Sequence, residues 1–390
     1  MLLQEFTIKG LLSFGLDTPP LRMQNLNILI GPNGSGKSNL VETIGVLRSS
    51  PGKLAAPMRG VGGGGVGEWI WKGVVSGAAH VEAVLSYPSG AHSLRHKIEF
   101  SEETGRFQLE DEAIENSIPD GGHEDPFFYY RFQNGHPALS VRDGGTRQLR
   151  REDVAPDESI LSQRKDPDQY PELAFLSEMY GKVRLYREWQ FGRSSVFRSP
   201  QSADLPSDRL EEDFSNLGLF LNHLRSIPKA KKTIIEHLRE LYAGLEDFDV
   251  RIKGGTVEVF LTEGEFIIPA RRLSDGTLRY LCLLAILCDP SPPELICIEE
   301  PELGLHPDML PKVADLLLDA AQRTQLVVTT HSDILVDAMT DTPESVIVVE
   351  KHDGRTKMER LRPGEELQRW LESYRLGELW TRGEIGGTRW

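Results

Sequence analysis

Apolar and polar residues alternate along the start of the chain and give way at Leu26–Ile30 to LNILI, where four of five positions are apolar. A short apolar run of this kind predicts a buried strand. The glycine-rich stretch GPNGSGK follows at once, and SNLVETIGVL then carries helical spacing. A second glycine-dense stretch, Arg59–Gly67, has no strand before it and no Lys-Ser/Thr after it, and reads as a flexible connector. From Glu68 to about Val154 the period falls to two residues. HVEAVLSY, LRHKIEF and PFFYYRF are separated by the turn signals PSG, ETG, NG and DGG, which predicts an antiparallel meander of hairpins. VRLYREWQFG (183–192) reads as a further strand leaving into a loop.

Helical periodicity takes over between Asp204 and Asp247, with Pro228 separating two stretches. No heptad pattern is sustained, so no long coiled coil is expected. Beyond Arg251 two short strands precede RRLSDGTLRYLCLLAIL, a turn followed by an apolar helix. LICIEE (strand), HPDMLPKVADLLLDAAQ (helix), QLVVTTHS (strand) and SVIVVEK (strand) complete the chain's β-α-β pattern. Such alternation at both ends of the chain implies one mostly parallel sheet interrupted by a long excursion.

Composition narrows the classes. With 44 basic and 59 acidic residues the net charge is −15, which argues against a protein that coats nucleic acid by charge alone. An apolar content of 39% is ordinary for a globular protein. The longest apolar run, Tyr280–Cys288, is nine residues, against about 20 for a membrane span. Glu5 and Lys9 interrupt the N-terminal stretch where a secretory signal would be apolar. The expected location is cytoplasmic, with Cys282, Cys288 and Cys297 as small buried hydrophobes.

Four segments carry chemistry. Gly31–Ser38 matches G-x-x-x-x-G-K-[ST] between a strand and a helix, the context in which backbone N–H groups and a helix N-terminus cradle a polyphosphate. Its candidate nucleotide contacts are Asn33, Gly34, Ser35, Gly36, Lys37, Ser38 and Asn39. Lys37 would reach the β- and γ-phosphates and Ser38 would ligate Mg²⁺. LICIEEPELGLHP ends a buried strand in Glu299 and Glu300. Neighbouring strand side chains point to opposite faces, so one carboxylate would serve the metal and the other the attacking water. Leu273–Thr277 (LSDGT) opens a helix, with Ser274 and Gly276 suited either to a phosphate or to simple N-capping. VVTTHS places His331 just past a strand, in a structural or a functional role.

The order of these four segments resembles the ABC-type ATPases of the RecF/SMC/OLD-like branch, and within it the compact bacterial AAA-type predicted ATPases. LSDGT corresponds to the signature, EEPE to the Walker B segment and TTHS to the His switch. Glu299 stands where the wider family has Asp, LSDGT replaces the commoner LSGGQ, and Gln190 is the candidate Q-loop glutamine. The resemblance implies an α/β P-loop NTPase of the ABC-head type with a mixed or parallel core sheet, an antiparallel β-subdomain and an inserted helical lobe. Its expected boundaries are 1–60 with 251–390 for the core, 61–192 for the β-subdomain and 193–250 for the lobe. It further implies ATP and Mg²⁺ as ligands, Glu299 assisting the metal, Glu300 as general base, and His331 at the γ-phosphate. One P-loop and one signature per chain imply an ATP-dependent homodimer, with Ser274 and Gly276 supplied across the interface.

Two outputs stay open: a DNA-linked ATPase in repair or mobile-element defence, and a regulatory ATPase controlling a separate effector protein, such as a nuclease, without touching DNA. Two basic clusters, Arg142/Arg147/Arg150/Arg151 and Arg225/Lys229/Lys231/Lys232, are candidate phosphate contacts for the first.

Overall fold

The computed structural model describes residues 1–390 except 61, 74–76, 134–135, 142–144, 149–154, 156, 194, 242–243 and 388–390. The chain divides into two compact units, each discontinuous in sequence. One comprises Met1–Val183, Glu344–Leu361 and Ile385–Trp390; the other comprises Arg184–Pro343 and Arg362–Glu384.

In the first unit the expected meander is present. Ala79–Leu85, Leu94–Glu103, Arg106–Asn116, Phe128–Gln133, His136–Val141 and Gly145–Gln148 pair antiparallel in chain order. The N-terminal strand Leu3–Lys9 joins the same sheet beside Ala79–Leu85. Burial along Ala79–Leu85 alternates residue by residue, so Val81, Ala83 and Leu85 pack inward while His80 and Glu82 stay partly wet. The apolar strand Leu26–Ile30 lies parallel to Val346–His352, which brings the two ends of the chain into one sheet. Arg355–Arg360 continues it as an antiparallel hairpin.

The helices Lys37–Ser49 and Pro171–Lys182 pack against each other. A buried polar knot ties the meander to the second of them. Glu112 accepts hydrogen bonds from the Ser159 hydroxyl and the Ile160 N–H (2.9 Å) and lies 3.1 Å from His96 Nε2. The other ring nitrogen of His96 lies 3.1 Å from the Tyr180 hydroxyl. The glycine-dense connector is less loose than its composition suggests. Its end forms a helical turn, Val66–Trp69, and the buried Trp69 indole donates to Gly63 O at 2.9 Å.

In the second unit Arg184–Tyr186, Leu295–Glu299 and Gln325–Thr329 form a parallel set, with Leu295–Glu299 central. All four residues Leu295–Ile298 are buried, as a strand covered on both faces requires. Leu245–Lys253, Thr256–Glu263, Phe266–Pro269 and Gln201–Ser202 build a small antiparallel sheet. Helices Leu217–Ser226 and Pro228–Leu241 occupy the stretch expected to be helical. Residues 209–216 do not join them. Asn216 bonds instead to Pro206 O, Arg209 O and Glu211 N, offering the backbone a turn in place of a helix. The apolar run 280–288 is a buried helix segment, Cys282, Cys288 and Cys297 are all buried, and among the described residues no helix is long and apolar enough to cross a membrane.

Candidate functional site

The sequence-predicted residues fall into two groups, one in each unit. The first group is the loop Gly31–Ser38 and the start of the helix it feeds. Gly31, Gly34 and Gly36 all have positive φ, and two of them admit no side chain. A Cβ on Gly31 would meet Val349 O at 2.0 Å, and one on Gly36 would meet Thr356 Oγ1 at 2.2 Å. Thr356 donates to Ser35 O at 2.6 Å and pairs with Ser13 Oγ at 2.6 Å, while Asn39 Nδ2 donates to the same Ser13 oxygen. The C-terminal hairpin thus braces the loop from behind.

Helix Lys37–Ser49 begins with no side-chain cap and no acidic residue in its first turn, leaving N–H groups for an anion. The buried Lys37 ammonium donates to Gly31 O at 2.8 Å and Pro32 O at 3.1 Å, so it is folded into the loop it would share with a phosphate. Ser35 Oγ is buried without a hydrogen-bond partner, and Ser38, Asn33 and Gly34 are exposed. An orphan hydroxyl, uncapped N–H groups and glycines with no room for a Cβ together fit a bound polyphosphate. Ser38 is the loop's candidate metal ligand.

The second group surrounds the end of the acidic strand. Glu299 is its last residue; Arg187 Nε lies 3.3 Å from its carboxylate, and the Trp189 indole donates to its carbonyl at 2.8 Å. Glu300 lies beyond the strand, at φ +48°, its N–H donating to Thr329 O at 3.0 Å. The expected alternation of two strand carboxylates therefore does not apply: the left-handed turn, not the pleat, aims Glu300. His331 Nε2 lies 3.5 Å from the Glu300 carboxylate, which makes these two a pair.

Sequence reading assigned nothing to Glu302, the last acid of EEPE. Its carboxylate accepts from the His331 N–H at 2.6 Å and from Thr330 Oγ1 at 2.9 Å, fastening the acidic turn to the His331 loop. Burial raises the Glu302 carboxyl above its ordinary value, partly offset by those hydrogen bonds. The signal available was its position, three residues past Glu299 at a strand end.

At the LSDGT turn Ser274 caps helix Asp275–Leu287, its hydroxyl accepting from Thr277 N at 3.1 Å. Both readings of that residue therefore remain compatible, since Ser274 is also exposed. Asp275 turns toward its own chain. It accepts from Arg198 and from Gly192 N, and the Arg198 contact lowers its carboxyl. Arg198 further donates to Leu273 O at 2.6 Å and Arg271 O at 3.1 Å. Gly276 is tight, with Gly304 O 3.0 Å from a Cβ placed there. Gln190 is exposed between Trp189 and Phe191, in the segment that follows strand Arg184–Tyr186.

Of the basic clusters, Arg142, Arg150, Arg151 and the side chain of Arg147 lie outside the described residues. In the other, Arg225 pairs with Asp249, Lys231 with Asp247 at 3.1 Å and Lys232 with Glu236 at 3.7 Å.

Residues 26–337, well over half of the chain, match the family described as "AAA domain, putative AbiEii toxin, Type IV TA system". No curated protein matches. Solved structures that are similar include an Smc head bound to the C-winged helix domain of ScpA, with a TM-score of 0.58 at 16% identity over 93% of this chain and 98% of that one. An Smc head with an extended coiled coil, bound to the C-terminal domain of ScpA derived from Pyrococcus furiosus, gives 0.56 at 13% identity over 95% and 98%. The Smc head domain with a coiled coil and joint derived from Pyrococcus yayanosii gives 0.52 at 12% identity over 95% and 99%. At such identities the likeness is one of fold: mixed α/β, with antiparallel and mixed sheets in the manner of an Smc head.

Proposed function

The chain belongs to this family of AAA domains, and from that premise we propose that it is an ABC-type ATPase of the RecF/SMC/OLD-like branch, switched by ATP-dependent dimerisation. The carrying observation is the loop at Gly31–Ser38, where uncapped helix N–H groups, the buried Ser35 hydroxyl and the inward Lys37 ammonium converge. Asn33, Gly34, Ser35, Gly36, Lys37, Ser38 and Asn39 hold the phosphates. Ser38 would ligate Mg²⁺ and Glu299 would assist it, as the resemblance implies, and the ion would supply charge neutralisation on the transferred phosphoryl group. Glu300 takes the proton of the attacking water, and the neighbouring His331 orients that carboxylate and contacts the γ-phosphate. Ser274 and Gly276 complete the opposite subunit's site, under two-fold symmetry. Gln190 is the Q-loop residue.

The family description names a toxin–antitoxin system, which supports a role in mobile-element defence. DNA-linked action is the first reading. The second, a regulatory ATPase acting on a separate effector protein, is favoured by one observation: Arg225, Lys231 and Lys232 are each engaged by an acid, which weakens that cluster as a phosphate-binding face. Two of the similar Smc heads are bound to a domain of ScpA, so this head fold does carry protein partners.

The test is phosphate release from ATP with and without DNA across a salt series. The first reading expects turnover, stimulated by DNA and suppressed by salt. The second expects turnover indifferent to DNA. No turnover under any condition overturns the ATPase reading itself.

A further inference from the structure

Arg279 takes no part in the chemistry just described, yet it is one of the most buried charges in its unit, at 4% exposure. It stands on helix Asp275–Leu287, just past the LSDGT turn. Among the described residues it makes no ion pair; burial lowers its basicity, and the charges of Glu302 and Glu300 offset only part of that. Its Nη2 donates to Glu300 O at 2.7 Å, and its guanidinium lies 4.3 Å from the Trp189 ring centre and 5.4 Å from that of Phe191. Trp189 in turn donates to Glu299 O. The carbonyls of both acidic residues are therefore each held by a side chain, and those two side chains stack on one another.

The geometry extends to the signature turn. Trp189 and Phe191 pack with Phe197 and Phe214 in one aromatic cluster, with ring centres about 5–6 Å apart. Arg198, next to Phe197, grips Leu273 O and Asp275. Burying a guanidinium against a peptide carbonyl and two rings costs more than the charges of Glu302 and Glu300, neither in ion-pair contact with it, return, since burial still lowers its basicity. It is the arrangement expected if the direction of one peptide matters, and that peptide is the left-handed turn at Glu300.

We propose that Arg279 is a positioning residue for ATP hydrolysis: from the signature helix it holds the Glu300 peptide in its left-handed turn and so aims the Glu300 carboxylate. Contact of the signature turn with a nucleotide is transmitted through this helix to the carboxylate that acts on the water. The inference rests on the reading of Glu300 as the base.

Steady-state turnover and binding of a fluorescent ATP analogue are measured for Arg279→Lys, Arg279→Ala, Glu300→Gln and the Arg279→Lys/Glu300→Gln pair. Arg279→Lys keeps the charge and loses the planar fork. It lowers kcat about 10- to 100-fold and leaves KM, analogue affinity and melting temperature as in the parent. Free guanidinium restores part of the turnover of Arg279→Ala. In the Glu300→Gln background Arg279→Lys adds no further loss, because it acts through the residue already removed. Wild-type turnover of Arg279→Lys, or a loss that adds fully to that of Glu300→Gln, overturns the proposal. So does a fall in affinity and melting temperature together with kcat. Should Arg279→Ala fail to fold, the lysine variant and its pair decide. If Glu300→Gln itself turns over normally, the reading of Glu300 falls instead, whatever Arg279 does.

Discussion

Single side chains decide whether the phosphate loop works. A methyl group on Gly36 would sit 2.2 Å from Thr356 Oγ1 at a φ of +112°, so Gly36→Ala must push the C-terminal hairpin away or distort the loop. The expected outcome is loss of fluorescent ATP-analogue binding, while Gly34→Ala, which meets nothing within 4 Å, pays only for its φ of +77° and binds measurably. Glu302 makes a prediction in pH. Its carboxyl is raised in the folded protein, so between the ordinary carboxylate range and the raised value the native state holds a proton that the unfolded chain has released. Stability from this group is present at low pH and falls as pH rises through the raised value. Melting curves of Glu302→Gln should lack that component, so the parent loses stability relative to the variant as pH rises through the weakly acidic range. A pH-independent difference would show that Glu302 is an ordinary solvated acid.

Elements were legible in the sequence where one local period governed them. Strand alternation in the meander and the apolar core of Leu295–Ile298 were visible because burial on one or both faces writes itself into side-chain spacing. The acidic turn was not. Glu300 reads as the next strand residue, but its N–H donates to Thr329 and its carbonyl accepts from Arg279 and the Leu303 N–H, and it adopts a left-handed conformation. Asp275 was likewise illegible, since its partner Arg198 lies 77 positions away in sequence. The knot at Glu112 is a third case: His96, Glu112, Ser159 and Tyr180 share no local spacing and meet only in the packed unit. Removing its central carboxylate leaves buried donors unpaired, so Glu112→Ala should cost on the order of 3 kcal/mol in urea unfolding. A change within the error of the measurement would show that the knot contributes nothing net.

At the scale of the whole molecule the proposed cycle needs two copies. One chain carries one phosphate loop and one LSDGT turn, and Ser274 at that turn is exposed, available to a second subunit. Trapping should follow from the chemistry: Glu300→Gln binds ATP without consuming it and accumulates dimer in size-exclusion chromatography, whereas Lys37→Ala stays monomeric. Complementation between two crippled chains tests the shared site most directly. Lys37→Ala is expected to lose phosphate and Ser274→Arg to block the turn proposed to serve the opposite subunit, so each alone should be inert. Mixing them creates dimers in which an intact loop faces an intact turn, so phosphate release must reappear on mixing. A mixture as inactive as its parts, or a Ser274→Arg protein that hydrolyses ATP unaided, would contradict a nucleotide held between two subunits.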